Sequence, residues 1–383
     1  MRKFMYLYRI CLAILPAALL TACGGGGTGT LSVGLTDAPT EAYKAVYVTI
    51  DAVQVHAKGP GEDNENAWVT IASPKQTFNL LDLTNGVVAG LGQGPLEAGS
   101  YTQIRLIIGA TPDAGPNLLC HSHPFANYVI DADDEEIHEL TVPSGEQTGL
   151  KLICAGKCDI AENQTTELIL DFDAAASVVV AGNSGNYNLK PTIKILETED
   201  FTLVTGRVTK SLDGSGIAAA VVTAQIFDAL VADPQDQVEV AATTLSDVNG
   251  DFQLFLKPGA YNLLAVAPGF APAAVNFSAL AGANPTQDFA LTSAPTGTLQ
   301  GKVTIAGADA DTFARLSLRQ DLLLDGVSEA VEVEGLDIKN GAGYSVSLPV
   351  ASYDAVASTC NFPTQVSPVD LVADTASVLD LGF

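Results

Sequence analysis

The chain of 383 residues carries 44 acidic against 18 basic residues, a net charge of −26, with 47% apolar and only 16% charged residues. A surface of that sign repels DNA, RNA and anionic lipid headgroups, which excludes nucleic acid as a partner. The length allows two or three domains at roughly 100–200 residues each.

The amino terminus places Arg2, Lys3 and Arg9 before the apolar run Ile10–Leu20, which ends in Leu20-Thr-Ala-Cys23. A basic stretch, an apolar stretch and small residues at a cleavage point make an export signal. The apolar run is shorter than the about 20 residues that span a bilayer, and no later stretch is long and apolar enough to do so. Cysteine directly after small residues resembles the lipobox of bacterial lipoproteins. That resemblance implies cleavage after residue 22, a diacylglyceryl group on the Cys23 thiol and acylation of the new amino terminus. Several acyl chains anchor stably where one alone is marginal. Gly24 stands where the lipoprotein family's inner-membrane retention signal has Asp, which favours the outer membrane. The expected location is therefore the bacterial cell envelope, periplasmic or surface-exposed, with the membrane as a partner through the lipid. The other reading is an ordinary secretory signal with Cys23 a plain thiol. Residues 23–28, rich in glycine, read as a flexible tether. Loss of three basic residues with the signal leaves a mature chain with 15 basic and 44 acidic residues.

Beyond the tether, short β-branched runs alternate with Gly, Pro, Asn and Asp, which predicts an all-β chain. Residues 29–198 form the first expected domain, β-rich and sandwich-like. Its predicted strands are Thr30–Leu35, Ala45–His56, Trp68–Ile71, Thr77–Asp82, Tyr101–Ile108, Tyr128–Ile130, Glu139–Val142, Gly149–Ile153, Glu167–Phe172 and Leu189–Ile195. Val46, Val48 and Ile50 alternate with Tyr47 and Thr49, and Val53 and Val55 resume one residue out of phase, which predicts a bulge near Asp51–Ala52. Gly29-Thr-Leu-Ser-Val-Gly-Leu-Thr-Asp-Ala-Pro39, the strand Val46–His56 and Leu96-Glu-Ala-Gly-Ser-Tyr-Thr-Gln-Ile-Arg-Leu106 resemble a domain of unknown function found in bacterial lipoproteins, the DUF4382 family. The segments Pro143–Leu152, Leu170–Asp173 with Ser177, and Leu189-Lys-Pro191 complete the resemblance. It implies a β-rich secreted domain and no activity; the cysteines at 120, 154 and 158 lie outside its pattern.

Residues 201–292 carry Thr202-Leu-Val-Thr-Gly-Arg-Val208, Ser246-Asp-Val-Asn-Gly-Asp-Phe252 and Leu256-Lys-Pro-Gly-Ala-Tyr-Asn-Leu263. These resemble the carboxypeptidase regulatory-like domain, which implies a Greek-key β-sandwich of the transthyretin or immunoglobulin type. Asn249-Gly250 predicts a hairpin between Thr243–Asp247 and Phe252–Leu256, and Pro258-Gly259 the next turn, with Tyr261–Ala267 running back in alternation. Residues 297–383 repeat this pattern at a period of about 95 residues, which predicts a second, degenerate sandwich in tandem, a spacer-like arrangement. In that alignment Tyr261 and Tyr344 coincide and read as core or corner residues. Glu197–Asp200 and Ser293–Thr296 are the expected linkers.

Candidate chemistry is sparse. Cys120-His-Ser-His123 and Cys154-Ala-Gly-Lys-Cys158 offer Cys120, His121, His123, Cys154 and Cys158 as ligands for Zn²⁺ or copper. In an oxidising compartment the simpler reading is a disulfide among Cys120, Cys154 and Cys158, with Cys360 available for a further role. Asp131–Glu136 with His138 has the oxygen density for Ca²⁺ without the EF-hand order, and reads as a solvated acidic turn; Asp247–Asp251 reads as a turn closed by Asn-Gly. Ser144 lacks a nucleophile elbow, and Asp171 and Asp173 read as the solvated face of an edge strand. No catalytic constellation and no resident cofactor beyond the lipid are expected. Trp68, Tyr43, Tyr47, Tyr101 and Tyr128 are candidate platforms for stacking sugar rings. The expected role is a non-enzymatic binding or structural module of the envelope. Alternatives are a carbohydrate-binding lipoprotein at peptidoglycan or a surface polysaccharide, and a metal-binding protein using the Cys/His cluster. An envelope protein or polysaccharide is the expected partner.

Overall fold

The structure, a computed structural model, describes residues 27–37, 40, 42–57, 68–84, 87–132, 135–142, 149–181, 186–196 and 201–383. About 62% of the chain is strand and 4% helix, so the protein is all-β. Contacts divide the described residues into two compact units. One holds residues 27–113 and 123–196; the other holds residues 201–383 together with 114–122, a short strap from within the first sequence region. Cys23, the tether to Gly26, Asp133, Asp134 and Ser144 lie outside the described residues.

The amino-terminal unit contains β1 (Thr28–Thr36), β2 (Tyr43–Ala57), β3 (Trp68–Ala72), β4 (Gln76–Asn79), β5 (Ala89–Glu97), β6 (Gly99–Ile108), β7 (Asn127–Asp131), β8 (Ile137–Thr141), β9 (Leu150–Ile153), β10 (Asp159–Ile160), β11 (Thr165–Phe172), β12 (Val178–Ala181), β13 (Asn186–Leu189) and β14 (Ile193–Ile195). One sheet runs β14-β11-β1-β5, and the other runs β10-β6-β2-β7-β8-β13-β12 with β3 and β4 on β2 and β9 on β6. Leu31, Val33 and Leu35 of the first sheet meet Val46, Val48, Ile50, Val53 and Val55 of the second in one core. The phase change along β2 is a register shift against β6 between Ile50 and Ala52.

Several expectations need correction. The strand drawn over Thr77–Asp82 stops at Asn79 and turns into a 3₁₀ segment, Leu80–Leu83, because the Asn79 side chain caps it at Leu81 N. The strand drawn over Leu189–Ile195 is two strands on different sheets, broken at Pro191, which has no N–H to give a ladder. Strand β5 was absent from the sequence reading, since Ala-Gly-Leu-Gly-Gln-Gly-Pro-Leu-Glu looks like a loop. Its glycines serve close approach: a Cβ on Gly92 would lie 2.6 Å from Ala72 Cβ, and one on Gly94 2.5 Å from Ile71 O. Asp171 is not on an edge strand, because β11 lies between β1 and β14. Asp173 instead caps the single helical turn Ala174–Ser177, accepting from Ala176 N at 2.9 Å.

The carboxy-terminal unit contains two sandwiches of one topology. The first has β15 (Thr202–Lys210), β16 (Val221–Phe227), β17 (Val238–Leu245), β18 (Asp251–Leu256), β19 (Gly259–Val266), β20 (Ala273–Ala279) and β21 (Phe289–Leu291). The second has β22 (Thr296–Thr304), β23 (Phe313–Leu324), β24 (Val327–Lys339), β25 (Gly343–Pro349), β26 (Ser352–Ser358), β27 (Gln365–Asp370), β28 (Ala376–Val378) and β29 (Leu381–Gly382). Sheets β18-β15-β21 and β17-β16-β19-β20 have their counterparts in β25-β22-β28, with β29 also on β22, and β24-β23-β26-β27. The repeat read from the sequence is thus a repeat of strand order. Its predicted hairpin is not: β17 and β18 lie in different sheets, so Asn249-Gly250 carries the chain from one sheet to the other. Asp247 Oδ1 closes this turn by accepting from Asn249 N (2.7 Å) and Asp251 N (2.9 Å).

Tyr344 is not the partner of Tyr261. It faces Gly301 as Phe252 faces Gly206, whereas Tyr353 repeats Tyr261. Tyr261 OH donates to Lys257 O (3.1 Å) and Tyr353 OH to Pro349 O (2.9 Å), each four residues upstream. Tyr101 OH makes the same bond to Glu97 O (3.1 Å) in the other unit. These are tyrosine corners, which tie the start of a strand to the preceding turn.

The two sandwiches pack against each other. Leu263 belongs to the first sandwich's core and Leu264 to the second's, both fully buried. Strand β19 therefore shows continuous burial instead of alternation. Gln225 of β16 both donates to Glu332 O and accepts from Glu332 N, each at 2.8 Å. Asn262 Nδ2 donates to Glu329 Oε2 at 2.6 Å.

Two outcomes follow. Tyr101→Phe, Tyr261→Phe and Tyr353→Phe should each cost about 1 kcal/mol in urea unfolding of the unit that contains it, the usual net worth of one hydrogen bond. Glu167 of β11 has a buried, unpartnered Oε1, and burial pushes its carboxyl up to about 8. The folded state therefore holds the proton more tightly than the unfolded one, so stability falls as pH rises from about 4.5 to 8. Glu167→Gln should flatten that slope and raise the melting temperature at pH 8, with little effect at pH 4.

Candidate functional site

A cavity of about 420 Å³ lies in the carboxy-terminal unit, in the size range of small-molecule sites. Strands β23, β24 and β26 form its floor, the 3₁₀ segment Pro234–Gln237 one side, and the strap at 114–122 another. Arg315 and Arg319 stand four residues apart on β23, an even spacing that puts them on one face of the strand. Arg315 Nη2 bonds Glu332 Oε1 at 2.8 Å, and its Nη1 lies 3.5 Å from Asp337 Oδ2. Burial works against this guanidinium, but Glu332 and Asp337 outweigh it and hold its proton more tightly than usual. Arg319 bonds Ser317 Oγ (2.9 Å), Pro234 O and Gln235 O (2.7 Å), fastening the 3₁₀ segment to the second sandwich. Burial, with Arg315 beside it, lowers the Arg319 pKa. Two residues along β24 from Glu332 of the cavity wall, Glu334 is pushed up to about 7, mainly by burial, with Glu332 adding to the effect.

Both guanidiniums are thus engaged inside the protein. The cavity presents paired charges, the hydroxyls of Ser317 and Ser358, and the apolar faces of Val238, Val240 and Val356. Its lining, among the described residues, contains no histidine. Such a surface suits binding of a polar group better than acid–base chemistry. Little in the sequence points to this site. Its one signal was Arg315-x-x-x-Arg319 on a strand of a chain poor in arginine.

The cysteines pair as Cys154–Cys158 and Cys120–Cys360. The sulfurs proposed as metal ligands are consumed in these bonds, and no group of three or more His, Cys, Asp or Glu among the described residues is arranged to hold an ion. Cys154–Cys158 closes the turn between β9 and β10, whose ends bond to β6 through Thr102 O (2.9 Å) and Tyr101 N (3.1 Å). Cys120 pairs neither with Cys154 nor with Cys158, because the strap carries it into the other unit. His121 is exposed, 3.9 Å from Asp309, while His123 is buried, with Nδ1 2.8 Å from Tyr128 OH. Burial lowers the His123 pKa, and Asp113, 3.7 Å away, partly opposes this. In the acidic turn, His138 stacks on Tyr187 and contacts Asp131 at 3.4 Å.

Of the five aromatic residues expected as platforms, three are engaged within the fold and two are half-buried. Tyr47 and Tyr128 stack on each other in the interior at 4.6 Å, and Tyr101 is the corner tyrosine described above. Tyr43 is half-buried in β2. Trp68, also half-buried, lies against the Arg105 guanidinium (4.2 Å), the Lys151 ammonium (5.6 Å) and the edge of His56.

Arg315→Ala should leave Glu332 and Asp337 facing each other across the cavity. A loss of about 1–2 kcal/mol is expected, reduced from the fully buried case because the cavity is open to water. Glu332→Gln in the same background should recover part of it, measured by urea unfolding as a double-mutant cycle.

No curated protein is detectably similar to this chain. Among solved structures, the TIE protein of Bacillus anthracis aligns with 93% of this chain and 51% of its own, at 11% identity and a TM-score of 0.20. The chain therefore spans about half the length of that protein. A streptococcal ancillary pilin aligns over 93% of this chain and 98% of its own (11% identity, TM-score 0.21). The 3-chlorocatechol 1,2-dioxygenase of Rhodococcus opacus 1CP aligns over 24% and 60% (11% identity, TM-score 0.20). Family models are more informative: residues 28–191 match the domain of unknown function DUF4382, and residues 203–292 match the carboxypeptidase regulatory-like domain. The chain thus carries a DUF4382 domain followed by a carboxypeptidase regulatory-like domain, a content that fits a non-enzymatic structural or binding module.

Proposed function

We propose that this protein is exported, acylated on Cys23 and held at the bacterial cell envelope, most simply in the outer membrane, where it serves as a non-catalytic binding module. The observation that carries this reading is the cysteine inventory. Of six cysteines, the four in the described residues form two disulfides, one of them joining positions 240 residues apart. Disulfides of this kind belong to oxidising, extracytoplasmic compartments. No described cysteine is left to pair with Cys23, which follows Leu20-Thr-Ala in the lipobox-like order. The arginine-lined cavity is the best-formed place for a ligand, and its internally paired charges favour a polar group without net charge, on an envelope protein or a polysaccharide. The metal-carrier reading is withdrawn, since its thiols are bonded to each other.

Cells fed an alkynyl fatty acid should label the wild-type chain and leave it in the membrane fraction. Cys23→Ala should abolish the label and move the chain to the soluble fraction. An unlabelled, soluble wild-type chain would sink the anchor.

A further inference from the structure

We propose that the Cys120–Cys360 disulfide is a thiol–disulfide exchange site for a protein dithiol, and that its opening releases the strap at 114–122 from the cavity wall. Nothing in this site depends on acylation of Cys23.

The two disulfides differ in access. Cys154 and Cys158 are fully buried, whereas Cys120 and Cys360 are both partly exposed. Exposed disulfides are the labile ones, because the attacking thiolate must reach a sulfur along the S–S axis. The backbone at the bond is also held in an uncommon conformation. Cys120 itself has φ 58°, a region that residues with a Cβ rarely adopt, whereas at the other bond the positive φ falls on Ala155 and not on a cysteine. Strain of this kind persists while the surrounding structure enforces it. The leaving group is prepared as well: Cys360 N donates to Cys120 Sγ at 3.0 Å, an interaction that strengthens when that sulfur becomes a thiolate.

The reaction follows from this asymmetry. A thiolate of the dithiol attacks Cys360 Sγ, forming a mixed disulfide and expelling Cys120 as a thiolate, which takes up a proton. The second thiol of the dithiol then attacks its own sulfur in the mixed disulfide and releases Cys360 as a thiolate, likewise protonated. The dithiol loses two electrons and the Cys120–Cys360 bond gains them.

Once freed, the strap keeps its own fold. Asn117 Oδ1 accepts from Leu119 N (3.0 Å) and His121 N (3.1 Å), while Asn117 N donates to His121 O (2.7 Å). Its ties to the second sandwich beyond the disulfide include Phe313 N to Cys120 O (2.8 Å), Lys339 Nζ to Ser122 Oγ (3.1 Å), Ser122 Oγ to Asp311 Oδ1 (3.5 Å) and the His121–Asp309 contact. Since Asn117, Leu118 and Cys120 line the cavity, movement of the strap widens its mouth.

The purified full-length chain should be titrated with dithiothreitol and followed by intact mass, alkylation mapping and amide exchange. The expected result is a species two hydrogens heavier, newly alkylated at Cys120 and Cys360 and not at Cys154 or Cys158, with exchange at Phe313 and Cys360, whose amides bond Cys120, accelerated about tenfold or more and Tyr353 unchanged. A thioredoxin-type protein with its second active-site cysteine replaced by serine should be trapped on Cys360. Reduction of both disulfides together, reduction only on unfolding, trapping on Cys120 or unchanged exchange would each overturn the proposal. The double variant C120S/C360S should show the fast exchange without reductant; if it fails to fold, the graded reduction of the wild-type chain still decides.

Discussion

Adjacent residues of a strand point to opposite faces of its sheet, so two neighbours can both be fully buried only when both faces are covered. Leu263 and Leu264 meet that condition, and much of the carboxy-terminal unit follows from it. Covering the second face of sheet β17-β16-β19-β20 requires another apolar surface, which sheet β24-β23-β26-β27 supplies. Backbone groups at the contact still need partners, and the Gln225 amide supplies them by copying the donor–acceptor pair of a strand against Glu332. Arg319 then reaches across to two carbonyls of the 3₁₀ segment, and the space left beside it is the cavity. The site is a by-product of packing two copies of one fold face to face.

The acid surplus shapes this packing. With so few cations in the chain, those at the contact are used with economy: one guanidinium bridges two carboxylates, and another donates its hydrogen bonds to neutral oxygens. Where no cation is available, the protein keeps a carboxyl protonated, as at Glu167, or caps backbone amides with it, as at Asp173 and Asp247. Carboxylates on the surface remain free to repel one another and keep the chain soluble.

What could be read from the sequence was local. Alternation along Val46–Val55 located β2 and its bulge, and the pattern around Gly206 and Gly301 revealed the repeat, since a Cβ at either position would overlap a neighbouring carbonyl. What could not be read was set by partners distant in the chain. Strand β5 looked like a loop because its glycines answer to Ile71 and Ala72, not to its own neighbours. Asn249-Gly250 has hairpin chemistry, yet which sheet receives β18 is decided by its pairing with β15. Tyr101 reads as a ligand platform and Tyr261 as a core or corner residue; the signal that joins them with Tyr353 is the spacing, a small residue directly before each tyrosine and a carbonyl acceptor four residues upstream. The pairing of Cys120 depended on a strap that leaves one unit for the other, which no spacing rule contains.

That strap also alters how the chain would carry a load. Cys120–Cys360 closes a covalent ring around the residues between them. Tension applied between the two chain ends travels from the amino terminus to Cys120, crosses the sulfur bridge and continues from Cys360 to Phe383. The whole of the first sandwich, most of the second and the Cys154–Cys158 turn lie within the ring and cannot be drawn out by it. The bond thus acts as a mechanical bypass, and while it is intact a pull on the ends can extend only the segments outside it.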